Sequence, residues 1–311
     1  MLRLAVKLWS YLGVGYRWTM NLWRLIIYAM LLLPGFLQMI VFYFFSPRVI
    51  RNVAYGRGPR QMLDWYLPKQ SIPGQQHPVV IFVTVAQHAP NALLSMRWAG
   101  CQQGNALDML QDVNTGISWV CRRCGMHRGD PDNVVLVGQS AGGQLGALAL
   151  MRQAEQMASG LSSEQAFPPW NPADVRAFIS ISGAYDMAGL AEHLHKRGLY
   201  RNLFDQIMSL GGTPSMDKLS PQCVASSWGK AAAPAAFMPP VMLVHGTADK
   251  SVPSTQAQAL HTALVESGVD STCRLVDHAT HTVFLLEGPM RGGKDPLMAL
   301  MLPVIYGLKA S

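Results

Sequence analysis

Three residues far apart in the chain are of the types that together carry out acyl transfer: Ser140, Asp249 and His281. A free hydroxyl is a poor nucleophile at neutral pH and needs a base beside it. An imidazole is such a base, and a carboxylate behind it fixes the tautomer and stabilises the imidazolium once the proton has moved. Ser140 stands in Gly138-Gln139-Ser140-Ala141-Gly142, a G-x-S-x-G between an apolar run at 134–137 and a small-residue run. Glycines on both sides let the backbone turn sharply enough to push the hydroxyl out at the end of a sheet. A helix starting there aims its first N–H groups, that of Ala141 included, at negative charge forming beside the serine. Gln139, Ser140 and Ala141 are thus the expected oxyanion and substrate-binding side of the site.

Other residues compete for the same roles. His278 precedes His281 by three residues, and spacing barely separates them as the base. Asp186, in G-A-Y-D, follows an earlier apolar run and is an alternative acid. The two histidines as a metal pair lack a third ligand, so no metal is expected. The glycine turn lacks both the Walker Lys-Ser/Thr and the three-glycine dinucleotide fingerprint, so no cofactor is expected either. Cys121-Arg-Arg-Cys124 has no second pair to complete a zinc site and reads as reduced thiols in a helix.

The elements that must position these residues can be read from the apolar pattern. Residues 61–68 alternate like an early antiparallel strand, after a turn-rich stretch at 52–60. Residues 79–84, 134–137, 175–182 and 241–244 are short apolar runs of the kind buried on both faces of a parallel sheet. Residues 272–276 form the last strand. Helical spacing predicts helices over 105–121, from 141 onward, 187–210, 257–267 and 296–308, the last disturbed at Pro303. Alternating strands and helices imply a mostly parallel sheet covered on both faces, an α/β fold. Within it the order serine, then aspartate after a late strand, then histidine after the last strand is that of the α/β-hydrolases.

Charge divides the chain. Residues 1–60 hold eight Lys or Arg and no Asp or Glu, while the rest is close to neutral, although the whole carries +7. A nucleic-acid binder would carry its positive charge on the folded face, so nucleic acid is not an expected partner. Leu25–Phe45 is a 21-residue stretch without a charge, bracketed by Trp23, Arg24 and Arg48. Such a helix is long enough to span a hydrocarbon core of about 30 Å. This predicts a membrane anchor over residues 1–48, a transmembrane segment at 25–45 with membrane lipid as partner, and a catalytic domain over 49–311.

Longer segments carry a resemblance. N-V-A-Y-G (52–56), L-D-W-Y-L-P (63–68), Q-G-N-A-L-D-M-L (103–110), G-D-P-D-N-V-V-L-V-G-Q-S-A-G (129–142), H-K-R-G-L-Y-R (195–201), L-V-H-G-T-A-D (243–249) and R-G-G-K-D (291–295) span most of residues 50–300. With them the chain is similar to the prenylcysteine methylesterases (isoprenylcysteine α-carbonyl methylesterases) of the α/β-hydrolase superfamily. The resemblance implies hydrolysis of the methyl ester of a C-terminal prenylcysteine, on free prenylcysteine esters or prenylated protein C-termini, giving carboxylate and methanol. It implies residence in endoplasmic reticulum and Golgi membranes, with the catalytic domain facing the cytosol where such substrates occur. It assigns Ser140, Asp249 and His281 as the triad.

One stretch departs from the family. After Thr84 the family continues with a Gly-Gly-Ala-Trp-like turn that supplies oxyanion N–H groups, whereas this chain reads Val85-Ala86-Gln87-His88. Residues 85–102 contain Pro90 and few β-branched residues, too little for a helix, a connection and a buried strand. The expectation is that one helix–strand unit is missing after Thr84. Losing one oxyanion donor costs on the order of 10²–10³ in rate, so impaired turnover is expected. A general carboxylesterase or lipase, or a non-catalytic membrane protein keeping the fold, are the alternative readings.

Overall fold

A computed structural model describes residues 15–59, 61–69, 74–84, 95–97, 105–160, 170–198, 205, 208–210, 213–284, 286, 290 and 295–308. The uncharged stretch lies within one long helix, α1 (Gly15–Phe45), which runs through Pro34. Its segment Thr19–Phe45 is long and apolar enough to cross a membrane. Its end is tied to the body, because the Tyr43 hydroxyl donates to Asp64 Oδ2 at 3.0 Å. Asp64 Oδ1 in turn accepts the Asn52 N–H at 2.8 Å.

The chain then enters a sheet: β1 (Val49–Ala54), β2 (Met62–Tyr66), β3 (His77–Val83) and β4 (Ser95–Arg97). There follow α2 (Ala106–Arg123), β5 (Gly129–Gln139), α3 (Ala141–Ser159), β6 (Val175–Ile181) and α4 (Met187–Lys196). A small hairpin of β7 (Ser209–Leu210) and β8 (Thr213–Pro214) precedes α5 (Pro221–Trp228). The chain finishes with β9 (Val241–Gly246), α6 (Thr255–Ser267), β10 (Ser271–Val276) and α7 (Pro296–Tyr306). The eight-stranded sheet has the order β1-β2-β4-β3-β5-β6-β9-β10, with only the β2 pairings antiparallel.

β5 shows why its sequence is continuously apolar. Side chains alternate across a strand. Val134 and Leu136 therefore enter one core with residues of α2, α3 and α6, while Val135 and Val137 enter a second with Leu297, Met301 and Ile305 of α7. Both faces are dry, so neither set can be polar. α2 starts on a capping box in which Asn105 and Asp108 satisfy each other's backbone N–H groups, and its Met109, Val113, Ile117 and Val120 stripe packs inward.

Four expectations are corrected. Residues 49–54 form an edge strand, where the residues from 52 onward read as turn-rich. Asn52 takes φ +57° and makes a bulge between Ile50 and Val53, which breaks the period-two pattern. The helix expected over 187–210 ends at Lys196, and Gly198 at φ +94° lies just beyond it. β5 is eleven residues long, beginning at Gly129, well before the apolar run.

The strand counted as missing after Thr84 is present as β4, reduced to three residues. Ser95 pairs with Phe82 and Met96 with Val83, so the first two residues of β4 join only the last two of β3. A parallel return normally takes a dozen or more residues. With ten between Thr84 and Ser95, a strand that enters late in β3 needs the shortest return. The helix expected to be lost with it concerns residues 85–94, outside the described residues.

Candidate active site

The parallel strands β5, β9 and β10 all end on one edge of the sheet, and each carries one of the three residues just past its end. Ser140 follows β5 and precedes α3 with φ 56° and ψ −122°, a backbone that a non-glycine residue holds at a cost of about 1–3 kcal/mol. Its N–H is spent on Ile181 O at 2.9 Å, which pins the turn to β6. Gly142 explains the second glycine of the motif: a Cβ there would lie 2.0 Å from Val83 O. The first turn of α3 therefore sits directly on the end of β3. The Ala141 N–H opens that first turn, ahead of the Gly143 and Gln144 N–H groups that donate to Ser140 O, and at that position it has no intrahelical acceptor.

The aspartate and histidine loops are stapled together. Thr247 N–H donates to Val276 O at 3.0 Å, Ala248 N–H to Ala279 O at 3.0 Å, and His278 N–H to Thr247 Oγ1 at 2.9 Å. This brings His281 Nδ1 to 2.7 Å from Asp249 Oδ2 and His281 Nε2 to 3.0 Å from Ser140 Oγ. The Asp249 side chain is wholly buried and that of His281 is 16% exposed. Asp249 Oδ1 accepts from Ser251 N–H at 2.8 Å and Val252 N–H at 3.0 Å.

His245 completes the shell, and sequence reasoning passed over it as a strand residue. Its ring is fully buried, with Nε2 3.0 Å from Val252 O and 3.3 Å from Asp249 Oδ2. A carbonyl only accepts, so Nε2 carries the proton and shares it between the two oxygens. The signal was present in H-G-T-A-D, four residues before the aspartate.

The charge on Asp249 follows from this cage. Burial opposes it, but hydrogen bonds from His245, His281 and the Val252 N–H outweigh burial and hold the carboxyl well below the usual carboxylate range. A depressed native value contributes stability above the unfolded carboxyl value of about 3.9 that is lost as pH falls through the lower native value. The expected result is that the melting temperature falls more steeply below about pH 4 in the parent chain than in an Asp249→Asn variant. Thermal scans from pH 7 to 3 measure it.

The rivals are placed elsewhere. His278 sits in a turn with φ +59°, beyond the constellation. Asp186 caps α4, its Oδ1 accepting Gly189 N–H at 3.0 Å. Gln139 is buried in β5, opposite Ile181 of β6. Burial pushes the Cys121 thiol up to about 12, and Cys124 Sγ points at Cys121 O. No group of three or more metal-binding side chains occurs among the described residues.

Comparison with known proteins decides the family. A family model described as BD-FAE matches residues 83–264. The probable isoprenylcysteine alpha-carbonyl methylesterase of Oryza sativa subsp. japonica is 40% identical over 98% of this chain and 75% of its own length. The isoprenylcysteine alpha-carbonyl methylesterase of Arabidopsis thaliana is 39% identical over 97% of this chain and 73% of its own. The chain belongs to the isoprenylcysteine alpha-carbonyl methylesterase family. Among solved structures, esterase B from Lactobacillus rhamnosis matches with a TM-score of 0.65 at 20% identity, over 84% of this chain and 86% of that one. An esterase of Thermogutta terrifontis matches with 0.58 at 17%, over 84% and 94%. These likenesses concern the fold, which is the α/β-hydrolase fold.

The methylesterase family's H-K-R-G-L-Y-R segment begins at the end of α4. Arg197 Nη1 and His193 Nε2 both donate to Lys250 O, the carbonyl of the residue after Asp249. In this isoprenylcysteine methylesterase relative, α4 thus braces the aspartate loop from outside.

Proposed function

We propose that the chain is a membrane-bound serine carboxylesterase that hydrolyses the methyl ester of a C-terminal prenylcysteine. The observation that carries it is the unbroken line from Asp249 through His281 to Ser140, in a chain about 40% identical to relatives named for that reaction. The Ser140 hydroxyl donates to the unprotonated Nε2 of His281. As Oγ attacks the ester carbonyl carbon, its proton passes to Nε2, and the imidazolium is stabilised by Asp249. The tetrahedral oxyanion faces the Ala141 N–H. Collapse breaks the bond to the methoxy oxygen, which leaves as methanol with the proton from Nε2. Water, activated by the same nitrogen, then attacks the acyl-serine and releases the carboxylate.

Thr84 N lies 3.1 Å from where a Gly142 Cβ would be, so the chain leaving β3 starts beside Ser140. Where the family resemblance leads one to expect glycines there, this chain has Val85 and Ala86. Turnover is therefore expected about 10²–10³ below that of a chain with the glycine turn.

A prenyl chain partitions into lipid at roughly 0.8 kcal/mol per buried methylene, so the substrate is met at a membrane. An anchor over 1–48, a catalytic domain over 49–311, and endoplasmic reticulum and Golgi membranes with the site facing the cytosol are the arrangement we favour. It is supported by the apolar helix and by the substrate class.

The test is methanol release from farnesylcysteine methyl ester by the chain and by Ser140→Ala, with p-nitrophenyl acetate in parallel. The variant should lose about 10⁴-fold or more on both esters. Equal release from both proteins sinks the assignment, and turnover of the acetate alone makes this a general carboxylesterase.

A further inference from the structure

From Leu32 onward the two sides of α1 differ in a way that its composition does not reveal. Leu32 is 3% exposed and Tyr43 7%. Between them Gly35 lies so close to the body that a Cβ on it would be 2.7 Å from Met290 O. Met39, half-buried, falls on the same side, so the stripe recurs at intervals of three and four residues. The Tyr43–Asp64 hydrogen bond closes this side, and Phe42 stacks on Tyr66 with ring centroids 6.4 Å apart. On the opposite side, Trp23, Met30, Leu37, Val41 and Phe44 recur at seven, seven, four and three residues. All five are more than half exposed.

Length arithmetic then bears on how this helix meets lipid. The body is packed along α1 from Leu32 onward. The part before it, residues 15–31, is about 25 Å long at 1.5 Å per residue, against a hydrocarbon core of about 30 Å. That part contains Arg24, which would lie about 10 Å inside a slab ending at Leu31. Extending the span toward residue 1 adds further charge rather than apolar length, because Arg17, Lys7 and Arg3 come next. A crossing that stops where the body begins would also leave Leu37, Val41, Phe44 and Phe45 in water, although all are more than half exposed.

We propose that α1 does not cross the bilayer but lies in the plane of one leaflet, its Trp23–Phe44 face sunk into the acyl chains and the catalytic body resting on its other side. The occupant of that face is the hydrocarbon of a lipid leaflet. From Leu32 onward the polar side of an ordinary interfacial helix is replaced by the body itself, and before it Leu25, Ile27 and Leu31, exposed around the rest of the helix, are submerged with the Trp23 face. Eight basic residues and no acidic one within residues 1–60 suit a leaflet with anionic headgroups. The membrane reading of the preceding subsection is assumed, and the inference adds that both ends of the chain stay on one side.

The test uses the full chain, tagged at each end, in sealed microsomes treated with protease. Sedimentation with the membranes and loss of both tags without detergent is the expected result. Protection of either tag until detergent is added overturns the in-plane arrangement while leaving membrane binding intact. Failure to sediment overturns both. A Leu37→Glu/Val41→Glu variant separates the arrangements again, using flotation with phosphatidylcholine–phosphatidylserine vesicles. An in-plane helix loses at least about tenfold in floated protein, with acetate hydrolysis per folded molecule unchanged. A helix crossing before Leu32 would float as before, and that result also overturns the proposal.

Discussion

Replacing Asp249 with asparagine is expected to lower kcat by about 10⁴-fold while leaving the fold in place. The reason lies in the direction of every hydrogen bond the carboxylate makes. Oδ1 accepts from the Ser251 and Val252 N–H groups, and Oδ2 accepts from His281 and His245. An amide has one acceptor oxygen and one donor nitrogen. Backbone N–H groups cannot reverse, so the amide oxygen turns to them and its NH₂ faces the two imidazoles. His245 is held as a donor by Val252 O and cannot adapt. His281 can, by moving its proton to Nε2. That nitrogen then points a proton at Ser140 Oγ and cannot accept one. Saturation kinetics on a soluble ester, with circular dichroism to verify folding, measure the effect. A loss of less than about tenfold would remove Asp249 from the reaction.

Gly142→Ala is expected to cost about 3 kcal/mol of stability and at least about 10² in rate. The added methyl would lie 2.0 Å from Val83 O and 2.6 Å from Val83 C, and both are backbone atoms of a central strand. Neither partner is the end of a flexible side chain, so α3 must lift off β3. Its first turn carries the Ala141 N–H, and a displacement of about 1 Å there is enough to misplace an oxyanion donor. Gly74→Ala is the control: that glycine is a turn residue with open space around it, although its φ of +85° adds modest strain. Melting temperature and kcat for the two variants separate loss of close packing from general glycine loss.

Much of the site was legible because chemistry and punctuation coincide there. The serine lies between glycines, after an apolar run and before small residues, and only a strand, a turn and a helix fit that sequence. Asp249 stands just past the V-M-L-V run in the same way. What was not legible was the choice between His278 and His281. Both sit in one short loop, and the staple from His278 N–H to Thr247 Oγ1 that turns the chain is a tertiary contact. His245 was hidden for a related reason, since a histidine ending an apolar strand carries no mark of the carboxylate it will meet. The edge strand β1 was obscured by the bulge at Asn52, and β4 by having only three residues, too few to show a period.

The brevity of β4 has a mechanical consequence. The β1–β2 hairpin reaches the parallel body of the sheet through Met62↔Arg97 and Leu63↔Met96, and β4 reaches β3 through two pairs more. Backbone continuity across the sheet therefore narrows to a ligature between two unequal parts. Proteins open in cooperative pieces whose boundaries follow such thin connections. Side chains carry what the ladder does not: Leu63 and Trp65 of β2 share a core with Ile81, Val113 and Ile117, and Gly35 of α1 packs against Met290 outside the hairpin. The parallel strands holding Ser140, Asp249 and His281 lie beyond that ligature, joined to the hairpin by core packing more than by backbone pairing.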